Sequence, residues 1–401
     1  MKKISRTVAA LATAGLALAC HASRARAQPW SARTPLPPPT GAHAVGTDVL
    51  HFVDSSRATS RSIRTRPLTV QRWYPARRGT GAPATYIAER SLLDSMMRAG
   101  YLDLQPDEMS GWRDVRLHAR LGAQAASPPE SRGWPVIVLS HGFGAARAHY
   151  SALAQELASH GYVVLAIDHP IGGFTLAPDG RVLRPGVDSL HYPASPLASV
   201  VRDWAIDDAF VVRRAAAFAS RGSDSVGTIV IDTTRAAAIG HSLGGAAALQ
   251  ACLSQPLFDA CADMDGDVFG DVETSGIGKP ILVLLSQPDH RGRPPARDSA
   301  DSARRQELAR MGRERDSTWT AICARQRGAP CFVVKLVGTA HFSFSDAPFQ
   351  MPRQLRNVGA TLTPAMMHRA MTMRLLAFLD HELRGRPLRV LEPGVKEVRF
   401  R

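Results

Sequence analysis

Lysine is scarce in this 401-residue chain: only five of its 49 basic residues are lysine. Set against 35 acidic residues they leave a formal charge of +14, which raises the question of a polyanionic partner. The arginines are scattered, and no basic run interleaved with aromatics could track a phosphate backbone, so no nucleic acid is expected. An arginine-heavy composition points to coding bias rather than a binding surface, leaving only weak attraction to anionic membrane or envelope surfaces. Cysteine is scarce as well, five in all. No C-x-x-C occurs, which excludes a redox motif or a zinc knuckle. No cluster has metal-ligand spacing, so neither a metal nor an organic cofactor is expected. The apolar run over 7–19 is too short to cross a bilayer.

That run belongs to an N-terminal pattern of its own. Lys2, Lys3 and Arg6 form a basic start, the apolar run follows, and Ala25-Arg26-Ala27 has the small-x-small form of a cleavage site. The expectation is a secretory signal over 1–27 and a mature chain from Gln28, secreted or periplasmic. An alternative is lipoprotein processing at Cys20, with Ala17 standing where that pattern usually has leucine. Losing the signal's five basic residues, with no acid among them, lowers the formal charge from +14 to +9. Export leaves Cys252, Cys261, Cys323 and Cys331, an even set suited to two disulfides. Four cysteines allow three connectivities, and short separation favours Cys252 with Cys261 and Cys323 with Cys331.

Periodicity then sets the fold class. Proline-rich 35–39 closes an expected disordered linker over 28–44. Strands are expected over 49–53 and 68–74, the second ending at Pro75. Residues 76–133 are loop-like apart from helical spacing over 91–101. From there strands at 136–139, 162–167, 236–239, 260–264, 281–285 and 332–337 alternate with helices at 145–160, 199–220, 245–252 and 364–384. Such alternation predicts an α/β fold, a mostly parallel sheet with helices on both faces. The expected domain covers 45–390, with insertions near 76–133 and 291–328 and a tail over 391–401. Oligomeric state is not legible. Reactive groups should gather at the carboxyl ends of the strands.

The motifs fall there. Gly240-His241-Ser242-Leu243-Gly244 sits between an apolar strand and an alanine-rich helix, the strand–turn–helix context of a nucleophile elbow. A serine hydroxyl is a weak nucleophile and needs such an exposed turn, where a base can reach it. Ser140-His141-Gly142-Phe143-Gly144 follows a strand upstream, where an α/β-hydrolase places half of its oxyanion hole. The expected donors are the amides of Phe143 and Leu243. His341, after the last strong strand, is the expected base, while His141 supports its turn. Two aspartates end strands in the order Ser, Asp, His: Asp265, followed by Gly266, and Asp289, beyond Pro288. Residue reading alone leaves both open as the triad acid.

Five separated motifs, in order, carry a resemblance. They are Arg72-Trp73-Tyr74-Pro75, the loop Ser140 to Ala145, the segment AQELASHGYVVLAIDH over 154–169, the elbow Gly240 to Gly245, and Gly338 to His341. Together they resemble the plasma-type platelet-activating factor acetylhydrolases and their bacterial relatives, over roughly residues 45–385. The resemblance implies an α/β-hydrolase whose triad acid ends the strand after the nucleophile helix, matching Asp265, with oxyanion amides matching Phe143 and Leu243. It implies a secreted esterase acting on short acyl or oxidised phospholipid-like esters through an acyl-serine. Departures are Asp263, a second carboxylate two residues before Asp265, and the polar stretch 291–328. The C-terminal part is also similar to polyester-degrading cutinases, which would place the acid at Asp289. A third reading is a non-catalytic envelope protein that keeps the scaffold to bind lipid.

Overall fold

The computed structural model describes residues 35–398 with the exception of 60–62, 88, 100–111, 113–114, 178, 185–195, 220–228, 289–298, 351–354, 356–357 and 393. The signal, Cys20 and Asp289 lie outside the described residues. In chain order the elements begin with β1 (Ala44–Asp54), β2 (Arg66–Ala76), β3 (Ala82–Thr85), α1 (Arg90–Ala99), β4 (Arg116–Leu121) and β5 (Trp134–Ser140). They continue with α2 (Ser151–Ser159), β6 (Val163–Asp168), the short β7 (Thr175–Leu176) and β8 (Val182–Leu183), α3 (Pro196–Ala219), β9 (Ile231–His241), α4 (Leu243–Ser254) and β10 (Ala260–Met264). The last are β11 (Ile281–Gln287), α5 (Ser299–Ala324), β12 (Cys331–Val337), α6 (Pro364–Arg384) and β13 (Gly394–Val398).

Eleven strands form one sheet in the order β13-β12-β11-β10-β9-β5-β6-β2-β1-β4-β3. Neighbours from β13 to β6 run parallel, and β2 is antiparallel to both β6 and β1. Consecutive side chains of a strand point to opposite faces, and β5 shows the result. Ile137 and Leu139 pack with α2 and α6 on one face, while Val136 and Val138 pack with α3 and α4 on the other. Burial on both faces is why these strands read as unbroken apolar runs. Strand order reverses beside β5: β6 lies on one side and β9 on the other. The loops leaving β5 and β9 at their carboxyl ends therefore open a crevice at a topological switch point.

Several expectations need correction. The strand expected to stop at Pro75 runs on to Ala76. Pairing with β6 ends at Trp73, so the missing proline N–H removes no bond to β6 there. The Pro75 carbonyl instead accepts from Ala126 N at 2.9 Å. The helix expected over 145–160 starts at Ser151, after a 3-10 turn over Arg147–Tyr150. The described end of the supposed linker is packed: Leu36 is buried, and Thr40 N donates to Glu156 Oε2 at 2.9 Å. Residues expected as a tail form β13, an edge strand parallel to β12. Much of the supposed insertion over 291–328 is α5, the crossover between the parallel neighbours β11 and β12. Parallel pairs cannot be closed by a tight hairpin and need such a connection. Its sequence hides it, because among the described side chains of this long helix only Trp319 and Ile322 are fully buried apolar ones. Within 76–133, β3 and β4 extend the sheet edge beside β1.

By contrast, α6 spans the residues expected of it. Thr363 accepts from Met366 N at its start, Pro364 occupies the first turn, and Gly385 closes it in the left-handed region. Both short-range cysteine pairs are disulfides: Cys252–Cys261 ties the end of α4 to β10, and Cys323–Cys331 ties the end of α5 to β12. Each closes a short loop, for which chain entropy assigns about 2–3 kcal/mol. Replacing Cys252 and Cys261 together by alanine should lower the calorimetric Tm by a few degrees and leave the fold intact. An unchanged Tm would contradict a stabilising role.

Candidate active site

The elbow is held by close backbone approach. A Cβ on Gly240 would lie 2.2 Å from the Gly244 carbonyl, and one on Gly244 would lie 2.3 Å from the Ser140 carbonyl oxygen. No larger residue fits either place, so the glycine spacing is a packing requirement. Between them Ser242 adopts φ 56 and ψ −122, a strained backbone for a residue with a side chain. Its amide is tied to Met264 O at 2.9 Å, and its carbonyl accepts from Gly245 N and Ala246 N in the first turn of α4. These bonds hold the strain and leave the hydroxyl facing the crevice.

Across the crevice stands His341, in a 3-10 turn after β12. Its Nε2 lies 3.0 Å from Ser242 Oγ and its Nδ1 lies 2.8 Å from Asp265 Oδ2. Asp265 is itself at positive φ, 57, one residue past the end of β10. Burial works against its charge, but Arg315, the bond from His341 and the Ser286 amide outweigh it, holding the carboxyl well below the ordinary range. An ionised carboxylate can only accept, so Nδ1 of His341 donates to it and Nε2 is left to accept the serine proton.

Sequence reading missed the carboxylate's other partners. Ser286 donates its amide to Oδ1 at 2.6 Å and its hydroxyl to Oδ2 at 2.7 Å. Arg315, reaching down from α5, donates to Oδ1 at 3.1 Å and to the Ser286 carbonyl at 2.8 Å. Ser286 could have been suspected from its place at the end of β11. Nothing in the sequence marks Arg315, fifty positions from its partner. Asp263 takes no part in this row. It is buried beneath α4, where a Cβ on Gly245 would lie 1.8 Å from its Oδ1, and it accepts from Gly266 N at 2.8 Å. Burial raises its pKa well above the usual carboxylate value.

The two expected oxyanion amides flank the serine. Gly142 faces it so closely that a Cβ there would lie 3.2 Å from Ser242 Cβ, and Phe143 follows directly. Among the described residues the amides of Phe143 and Leu243 donate to no protein acceptor. Leu243 opens α4, so its free N–H is one of the unpaired donors at the positive end of a helix. His141 lies behind this loop as expected. Its Nδ1 donates to Gly142 O at 2.7 Å and its Nε2 accepts from His169 N at 3.2 Å. Among the described residues no group of acidic, His and Cys side chains is arranged to hold a metal.

The arrangement, a hydroxyl, an imidazole and a carboxylate in a row beside two unpaired amides, can generate a nucleophile and receive an oxyanion. Comparison with known proteins agrees with the fold. A solved structure titled "Ferulic acid esterase from Streptomyces cinnamoneus" superposes with a TM-score of 0.65 at 28% identity, covering 90% of this chain and 97% of that one. A protein of Arthroderma benhamiae named "Probable 1-alkyl-2-acetylglycerophosphocholine esterase" is 28% identical over 255 residues, 61% of this chain and 62% of its own length. The platelet-activating factor acetylhydrolase of Canis lupus familiaris is 28% identical over 183 residues, 38% of this chain and 40% of its own. The chain thus covers less than two thirds of the length of both of these curated relatives. The family model for platelet-activating factor acetylhydrolase, isoform II, matches residues 108–170 and 228–386, more than half of the chain. With the fold and these matches together, the chain belongs to the platelet-activating factor acetylhydrolase isoform II family of α/β-hydrolases.

Proposed function

We propose that the protein is a serine esterase that cleaves carboxylic esters through an acyl-serine. Ser242 attacks the ester carbonyl while His341 takes its proton and then delivers it to the leaving alcohol. Asp265 fixes the imidazole tautomer and stabilises the imidazolium. The amides of Phe143 and Leu243 hold the oxyanion, each worth a hundred- to a thousandfold in turnover by order of magnitude. Water, activated by the same histidine, frees the serine. The observation that carries this reading is the unbroken hydrogen-bonded row from Ser242 Oγ to Asp265. The Asp265 arrangement favours the acetylhydrolase-like reading over a cutinase-like polyesterase using Asp289.

The relatives' names, an acetylglycerophosphocholine esterase and an acetylhydrolase, support an acetyl ester on a glycerophospholipid as the substrate class, which we extend to other short acyl and oxidised phospholipid-like esters. Export is part of the proposal, with cleavage after a signal over 1–27, or lipidation at Cys20, and a hydrolase domain that runs through β13 to Val398. Two disulfides are consistent with an extracellular location. A series of p-nitrophenyl esters from acetate to decanoate tests the acyl preference. Turnover should be highest for the shortest acyl groups and fall steeply beyond butyrate. Rising turnover toward decanoate would instead indicate a lipase, and preference for methyl ferulate a hydroxycinnamate esterase.

A further inference from the structure

His241 precedes the elbow serine and lies outside the row of Ser242, His341 and Asp265, yet it is fully inside the site. Burial, above all, brings its pKa down to about 3, so the ring is neutral and carries one donor and one acceptor nitrogen. Nε2 lies 2.9 Å from the carbonyl oxygen of His341. A carbonyl only accepts, so Nε2 carries the proton and Nδ1 must accept. Nδ1 is met at 2.8 Å by the hydroxyl of Tyr150. That hydroxyl in turn accepts from the amide of Gly142 at 3.0 Å, one residue before the oxyanion amide of Phe143. Burial pushes the Tyr150 phenol far up, so its proton is always available to donate. Every hydrogen in this chain of three bonds has one direction: Gly142 N–H to Tyr150, Tyr150 O–H to His241, His241 N–H to His341.

The two ends of this chain are the two loops whose spacing the reaction needs. One carries the oxyanion donor, and the other carries the base. A second tie runs parallel to it on the same pair of segments. Asp346, five residues past His341, donates its amide to His149 O at 2.7 Å, and its carboxylate accepts from Ser151 N and Ala152 N at 3.0 and 3.2 Å. This outer tie anchors the segments, whereas the Tyr150–His241 chain sets the position of groups beside the serine. We propose that Tyr150 and His241 are positioning residues that set the distance between the oxyanion amide of Phe143 and the imidazole of His341. This inference rests on the esterase reading. The chain is built from neutral, buried groups, where each directional bond restrains its partners more than it would in water. Both side chains are buried, so their effect is expected when charge develops on the oxyanion and imidazole, not when the ester binds.

Tyr150→Phe keeps the ring and deletes both bonds of the hydroxyl. It should lower kcat for p-nitrophenyl acetate on the order of tenfold with KM within about twofold, because interactions realised only in the transition state move kcat. The inhibition constant of an alkylboronic acid, which mimics the tetrahedral intermediate, should rise by a similar factor. His241→Gln breaks the same chain from its other end. If the two residues act as one unit, the double variant costs little more than the larger single change, not the product of the two. Rates are normalised to the fraction of Ser242 labelled by a fluorophosphonate, so a poorly folded variant does not pass for a slow one. Unchanged normalised kcat in Tyr150→Phe, a KM-only effect, or multiplicative losses in the double variant would overturn the positioning role while leaving the esterase reading intact. Wild-type protein that neither labels nor turns over any ester would overturn both.

Discussion

Ser242→Ala is expected to lower kcat for p-nitrophenyl acetate by about a millionfold, the scale seen when a triad serine is removed as part of a unit that works together. The loss is large because His341 then has no proton to take, and the oxyanion amides can only assist a bulk water. Residual turnover should stay roughly a thousandfold above the uncatalysed rate, from those amides and from binding. The fold should be untouched: among the described residues Ser242 Oγ has His341 as its one side-chain partner, and the backbone bonds that hold the elbow are kept. Matching thermal melts together with loss of fluorophosphonate labelling would identify Ser242 as the nucleophile. Turnover within tenfold of wild type would end this mechanism and require a nucleophile other than Ser242.

Asp265→Asn should cost about ten-thousandfold in kcat, from the wrong tautomer rather than lost geometry. An amide can present N–H to His341 Nδ1, which forces the ring proton onto Nε2, where it can no longer accept from Ser242. Stability should fall as well, since Arg315 and both donors of Ser286 converge on that carboxylate. The sign with pH follows from its lowered pKa. A carboxyl more acidic in the folded state than its ordinary value near 3.9 stabilises the fold fully above that value and loses the contribution as pH falls below it. The Tm gap between wild type and Asp265→Asn should therefore be full at neutral pH and narrow under acid conditions. Asp289→Asn, measured in parallel, should stay within a few-fold of wild type; a ten-thousandfold loss there instead would transfer the acid's role to Asp289.

The parts of the site that could be read in advance were those fixed by local rules. Gly240 and Gly244 are legible because a Cβ at either collides with backbone a few residues away or across one strand. Ser242 and His341 are legible because each follows an apolar strand, and strand ends in a parallel sheet share one rim; by the same rule Asp265 and Asp289 were both candidates for the acid. The disulfides follow from proximity along the chain. The missed elements share a different cause. Among its described side chains α5 has too few buried apolar ones to show a helical stripe, and its existence is forced by the parallel pairing of β11 with β12, a relation between strands. β13 is an edge strand whose partner lies far upstream, and Pro75 sits in a strand because pairing with β6 has already ended there.

By itself, then, the amino-acid order determined the alternation of strands and helices, the sharp turn at residue 242, and which side chains stand at strand ends, because these depend on neighbours within a few positions. Only the tertiary structure decided that Asp265 carries the bond to His341, that Arg315 and Ser286 secure its charge, and that Tyr150 and His241 link the two loops. Those contacts join residues 21 to 100 positions apart, and whether they meet depends on sheet order and helix placement, which no local pattern encodes.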